Sequence, residues 1–189
     1  PDWYIKSCEK IKYMFPKAHA AAYVTNAFRI AWFKVHIPLA YYAAYFTIRA
    51  KAFDAEIMIN GKEKVKNKIK EIEMMGNNAT PKDKDMYDDL ELVLEMYERG
   101  YSFLPIDLYK SHATKFQVEG NYLRPPLNSI AGLGNVAAEG IMKARNEEKF
   151  MSIDDMKIRS KIGDSVTELL RKFGCLEGMS QSNQLSLFG

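Results

Sequence analysis

The sequence predicts a mainly α-helical chain with one small β-hairpin and a flexible C-terminal peptide, and three observations predict it. Apolar residues recur at helical spacing through most of the first hundred positions. Prolines and glycines fall where such helices would start or stop, as at Phe15-Pro16, Pro38, Asn60-Gly61, Thr80-Pro81 and Arg99-Gly100. Past Leu127, short helix-length runs alternate with glycines, and the last residues are polar and then abruptly apolar.

Composition bounds the function. The 189 residues are 47% hydrophobic and 27% charged, which is ordinary for a soluble globular chain and excludes disorder throughout. The most apolar stretch, residues 18–46, is broken by Arg29, Lys34, His36 and Pro38, so no run reaches the roughly 20 residues a membrane helix needs. No signal-peptide pattern precedes it, and Pro1-Asp2-Trp3-Tyr4 reads as the interior of a longer chain. Cys8 and Cys175 stand far apart without a CxxC or a matched histidine, which excludes a disulfide framework and leaves a zinc site no ligand spacing. Reduced thiols of this kind suit the cytoplasm. The net charge of +3 is small but unevenly spread. Residues 1–36 are basic and residues 81–98 acidic, so a polyanion would have to avoid the middle of the chain.

Taken in order, residues 3–14 carry Trp3, Cys8 and Ile11 at helical spacing, and Phe15-Pro16 ends the run, because proline restricts the residue before it. Lys17 to His36 forms a long helix, and Pro38 opens the next, crowded with Tyr41, Tyr42, Tyr45 and Phe46. Residues 53–59 run into the Asn60-Gly61 turn, and Asp54-x-Glu56 would share one face if that segment were a strand. Two carboxylates on one face suit a two-metal site, but no third acid joins them and an exposed strand face has the same spacing; no metal site is assigned. Residues 61–75 alternate lysine and glutamate around Val65, Ile69, Ile72 and Met75, giving an amphipathic helix stopped at Gly76-Asn77-Asn78. Thr80 caps the following helix with Pro81 in its first turn, and the early acidic residues suit the positive end of its dipole. Residues 101–107 and 115–118 are expected to be short strands, with Glu119-Gly120-Asn121 turning into Tyr122-Leu123-Arg124.

Chemistry concentrates in three places. In Ile130-Ala131-Gly132-Leu133-Gly134-Asn135, a Gly-apolar-Gly turn lies between helices, the pattern of a helix-hairpin-helix. Glycines let the backbone bend tightly and approach a surface without a Cβ in the way. They leave amides free at the start of a helix whose dipole favours an anion, where a DNA phosphate could sit. A plain helix–helix turn would use the same glycines. Lys143 and Lys161 lie close in sequence, and a weaker second copy follows at Lys161-Ile162-Gly163-Asp164-Ser165. That copy reads as lacking the second glycine and carrying Asp164, which weakens its hold on phosphate. The second place is Gln184-Leu185-Ser186-Leu187-Phe188, an apolar anchor on the polar leash Ser180-Gln181-Ser182-Asn183, suited to docking in a partner's pocket or equally to a frayed end. The third is Lys17, His19, Tyr23 and Arg29, a basic and aromatic edge on a helix of small residues, which fits a nucleic acid or triphosphate as well as it fits an ordinary core helix.

The succession FPKAHAAAY, YYAAYFTIRA, SFLPIDLYKSHATKF, the IAGLG hairpin and a terminal QLSLF resembles the C-terminal region of the bacterial family C replicative DNA polymerases, the PolC type of DNA polymerase III alpha subunit. The resemblance covers essentially the whole chain. It implies that residues 1–105 are the last part of the polymerase fingers. Residues 106–178 would then be a duplex-binding domain built from the hairpins, and residues 179–189 a sliding-clamp-binding tail. Lys17, His19, Tyr23 and Arg29 would face nucleotide or template, and Gly132, Leu133, Gly134, Asn135, Lys143, Lys161, Gly163 and Ser165 would meet duplex DNA. The partners implied are template-primer duplex, the clamp and the rest of the polymerase, with no membrane. The palm carboxylates with their Mg2+, the exonuclease and the PHP domain would lie upstream, so this stretch would be non-catalytic and without a cofactor of its own. A stand-alone helix-hairpin-helix adaptor in DNA repair, or a protein–protein scaffold, are the rival readings, and a polymerase reading requires the gene to continue far upstream of Pro1.

Overall fold

A computed structural model describes residues 1–10 and 16–182, divided into two compact units, residues 1–41 and 42–189. In the first unit, α1 spans Asp2–Lys10 and α2 spans Lys17–His36, the latter within the limits the sequence predicts. Neither buries a residue. On α2 the rings of His19 and Tyr23 lie 4.4 Å apart, and Trp32 contacts Phe33 and His36. The helix α3, Pro38–Ile48, begins at its proline and carries the chain from the first unit into the second.

After α3 the chain makes a helical turn where a strand was possible. Residues 53–59 are not a strand; Ala55–Met58 forms the single turn α4, with Asp54 as its N-cap accepting from the Glu56 backbone N–H at 2.9 Å. The aspartate competes successfully for the local amide, and Glu56 turns away to pair with Lys172 at 2.8 Å. Asp54 and Glu56 are therefore a cap and an ion-pair partner. The next two helices follow the sequence pattern closely. α5, Lys62–Met75, buries Val65, Ile69 and Ile72. α6, Pro81–Glu98, starts in a capping box in which Thr80 and Asp83 each bond the other's backbone.

The acidic run on α6 is largely structural. Asp89, only 2% exposed, accepts the backbone N–H groups of Lys51 and Ala52 at 3.1 and 2.9 Å. Asp85 pairs with Lys51 at 3.0 Å, and Glu98 with Lys62 at 2.7 Å. Burial pushes the Asp89 carboxyl above the usual carboxylate range, against the pull of those two amides. Tyr42, fully buried, donates to Glu95 and accepts from Arg99, and burial pushes its hydroxyl up to about 12. Beside it, Phe46, Phe53, Phe103 and Phe116 form one ring cluster with centroid separations of 4.9 to 6.2 Å.

The sheet is small. β1 (Ser102–Phe103), β2 (Gln117–Glu119) and β3 (Tyr122–Arg124) lie in the order β1-β3-β2. β2 and β3 make the expected antiparallel hairpin, and Gly120, at φ +59°, takes the loop position where primed hairpin turns require positive φ. β1 joins β3 in parallel and is shorter than the predicted segment 101–107. After Leu104 donates to Leu123 the chain reaches Pro105, which has no N–H to continue the ladder. Arg124 closes this corner through a paired contact with Glu119 and a 2.8 Å bond to the Pro105 carbonyl.

After a 3-10 turn at Leu127–Ser129 come α7 (Asn135–Glu147), α8 (Ile153–Ser160) and α9 (Asp164–Lys172). They share a core with Ile106, Leu108, Leu127, Ile130, Leu133, Ile141, Met156, Leu170 and Leu176. Gly140 sits inside α7. A Cβ there would lie 2.6 Å from the Ser160 carbonyl oxygen, so the glycine is what allows α7 and the end of α8 to touch.

Candidate nucleic-acid interface

The first hairpin turns on Gly132, at φ +91°, a conformation that costs an L side chain about 1–2 kcal/mol. Leu133 then plugs inward at 2% exposure, and Gly134 becomes the N-cap of α7 with no side chain to cap it. Gly132, Gly134, Asn135 and Val136 are exposed residues. The first N–H groups of an α-helix have no partner within it, and the first intrahelical bond here is made by Ala138 to Gly134. Asn135 is steadied by Asn128, whose amide donates to it at 2.9 Å. The turn thus offers amides and a positive helix end to solvent, the local chemistry that suits an anion.

The second hairpin repeats that backbone in a different register from the one its sequence suggests. Lys161, at φ +55°, stands where Gly132 stands; Ile162 is the inward plug at 7% exposure; and Gly163 is the N-cap of α9. The missing glycine is therefore the first, not the second. Lys161 is the one non-glycine residue at positive φ among the described residues, so this turn keeps its shape at some cost in backbone strain. The start of α9 carries a negative charge of its own, which an incoming anion would meet. Asp164 lies 2.5 Å from Lys157, and that lysine holds its carboxyl below the usual carboxylate range.

The remaining predicted residues are scattered. Ser165 is exposed beside Asp164, and Lys143 is exposed on α7, eight residues past Asn135 and so about 12 Å along the axis from the turn. Lys17, His19, Tyr23 and Arg29 are all exposed on α2 in the first unit. Gln184, Leu185, Ser186, Leu187 and Phe188 lie outside the described residues. Two arginines of the hairpin helices face inward instead of outward. Arg145 bonds the carbonyls of Leu108 and Ser111, and burial holds its guanidinium below the usual arginine range. Arg159 bonds the Ala144 and Glu148 carbonyls at the end of α7, at 2.5 and 2.9 Å. Sequence reasoning missed the Lys157–Asp164 pair; the signal was a lysine and an aspartate seven residues apart across a helix–turn–helix. It also missed Lys115, exposed on the loop whose His112 and Ala113 carbonyls accept from Leu127 and Asn128 just before the first hairpin.

A family model described as a helix-hairpin-helix motif matches residues 100–185. Over 188 of its 189 residues, the chain is 57% identical to the PolC-type DNA polymerase III of Oceanobacillus iheyensis, 58% to that of Halalkalibacterium halodurans and 56% to that of Bacillus subtilis. The chain spans only 13% of the length of each of these relatives.

Proposed function

Along its whole length the chain is homologous to part of the PolC-type DNA polymerase III, and from that premise we propose that it grips the template-primer duplex and ties a replicative DNA polymerase to its sliding clamp. Residues 1–105 serve as the remainder of the fingers, residues 106–178 as the duplex-binding domain and residues 179–189 as the clamp-binding tail. The single observation that carries the reading is the exposed, uncapped start of α7 at Gly134 and Asn135, reached through the Gly132 turn, within the stretch that matches the helix-hairpin-helix motif. Such a turn holds phosphate and reads no bases, which suits an enzyme that must travel over every sequence. DNA-directed polymerisation belongs to the intact cytoplasmic enzyme, with its Mg2+ and its exonuclease elsewhere in the chain. Among the described residues no group of three His, Cys, Asp or Glu side chains is placed to hold a metal ion. No described helix is long and apolar enough to cross a membrane.

In this reading Gln184 bonds at the rim of a clamp pocket while Leu185, Leu187 and Phe188 bury apolar surface, with an affinity on the order of micromolar after the cost of ordering the peptide. One experiment tests both halves. Gly132→Val with Gly134→Val should lower duplex affinity and flatten its dependence on salt, with the helices intact by circular dichroism and clamp affinity unchanged. Leu187→Ala with Phe188→Ala should do the reverse, abolishing clamp binding and leaving duplex affinity near normal. Duplex affinity unmoved by the first pair would reduce the hairpin to a plain turn.

A further inference from the structure

The tail does not leave the body as a free leash. α8 is capped by Ser152, fully buried, whose hydroxyl accepts from the Asp155 backbone N–H at 3.2 Å. The next two orphan amides of that helix start are satisfied by the tail itself. Ile153 donates to the Ser180 carbonyl at 3.0 Å, and Asp154 donates to the Gln181 carbonyl at 3.1 Å. The Gln181 side chain then spans both helices of the second hairpin, donating to Asp154 on α8 at 3.0 Å and accepting from Arg171 on α9 at 3.3 Å. Upstream, Leu176 is buried and Met179 packs against the core.

The same hairpin is poorly suited to phosphate. Lys161 strains the turn, and Asp164 sits at the start of α9 with Lys157 paired to it. We propose that the second hairpin is the mount for the C-terminal peptide, with Gln181 as the positioning residue that fixes where the peptide leaves the body. This rests on the clamp-tether reading of residues 184–188. Only Ser182 and Asn183 then separate the fixed point from Gln184. Three Cα steps reach about 11 Å at most, so a clamp docked at Gln184 is kept within that reach of the second hairpin. If Gln181 lets go and the Ser180 carbonyl parts from Ile153 with it, the next held residue is Met179, and the span to Gln184 grows from three steps to five. Effective concentration falls roughly as the −3/2 power of span, which predicts about a twofold loss of joint clamp-and-DNA binding.

The test uses the intact polymerase, a sliding clamp and primed duplex, with Gln181→Ala and Arg171→Ala, each with and without twelve Gly/Ser residues inserted after Ser182. The insertion alone should lower joint binding about tenfold, and on that background the Gln181→Ala loss should vanish, because two further steps change a long span little. Amide exchange at Ile153 and Asp154 should rise about tenfold or more in Gln181→Ala without global destabilisation. Equal loss with short and long tails would show that Gln181 acts through stability, and wild-type exchange at those two amides as fast as in the variant would show that no mount exists; either overturns the proposal. Failure of a synthetic 182–189 peptide to bind the clamp would overturn the clamp reading itself, and the exchange result would still report whether the tail is held.

Discussion

Replacing Gly140 by alanine sets two effects of opposite sign against each other. Alanine is a better helix former than glycine by roughly 1 kcal/mol in a helix interior, so propensity alone predicts a more stable protein. The tertiary contact predicts the reverse. The new Cβ would lie 2.6 Å from the Ser160 oxygen, against 3.4 Å or more for ordinary contact, so α8 must recede by about 0.8 Å. The obstacle is backbone and cannot rotate aside. It ends a helix whose Met156 and Ile153 pack in the same core as Ile141 and Ala144 of α7. A radial gap of this size forfeits a quarter to a half of the dispersion energy across the facing atoms, and overpacking of this kind costs about 1–3 kcal/mol. Because backbone is displaced, the upper part of that range applies, and the net expectation is destabilisation by about 1–2 kcal/mol. Urea unfolding of the purified protein measures it, with Gly134→Ala as the control. Gly134 has negative φ and nothing within 4 Å of a new Cβ, so its change should stay within roughly 0.5 kcal/mol. A Gly140→Ala protein as stable as wild type, or more so, would refute the close approach of α7 and α8.

Two further outcomes test the electrostatics. Asp164→Asn should free Lys157 and the start of α9 for phosphate, raising duplex affinity and steepening the logarithmic salt slope by about 0.9 for one added contact; an unchanged slope in a salt titration would contradict it. His112 accepts from the Thr114 and Lys115 amides at 3.0 and 3.2 Å through Nδ1, and burial, with Lys115 and Arg145 nearby, holds its pKa below the usual histidine value. The unfolded chain therefore takes up the proton first, so the stability carried by neutral His112 is whole above about pH 6.5 and is lost as pH falls below that towards the depressed folded value. Urea midpoints across roughly pH 5–8 should show that loss in wild type and not in His112→Asn, whose amide oxygen accepts without titrating; parallel curves would rule the histidine out.

The helices were legible wherever local chemistry alone specifies them. Lys17–His36, Lys62–Met75 and Pro81–Glu98 follow from apolar spacing and from caps within a few residues, as the Thr80–Asp83 box shows. The Gly132–Gly134 turn was legible for the same reason, since its φ demands act on single residues. Legibility failed where a short segment offered two local solutions. At Asp54-Ala55-Glu56 the alternation suggested a strand, and the aspartate's bond to the Glu56 amide favoured a helical turn.

What the sequence by itself determined, then, is the helical class, the hairpin turn and the polymerase resemblance, because each rests on neighbours in the chain or on whole motifs in order. Only the tertiary structure decided which charges are available. Asp89 is a buried clasp on the Lys51 and Ala52 amides, Arg145 and Arg159 face carbonyls inside, and Asp164 pairs with Lys157. It also decided that Gly163, not the expected residue, answers to Gly134, and that Ser180 and Gln181 are tied to α8. The physical reason is common to all of them. A charged or polar group acts through whatever lies within about 3 Å of it, and for these groups that neighbour comes from another turn or helix, at a separation that local pattern does not encode.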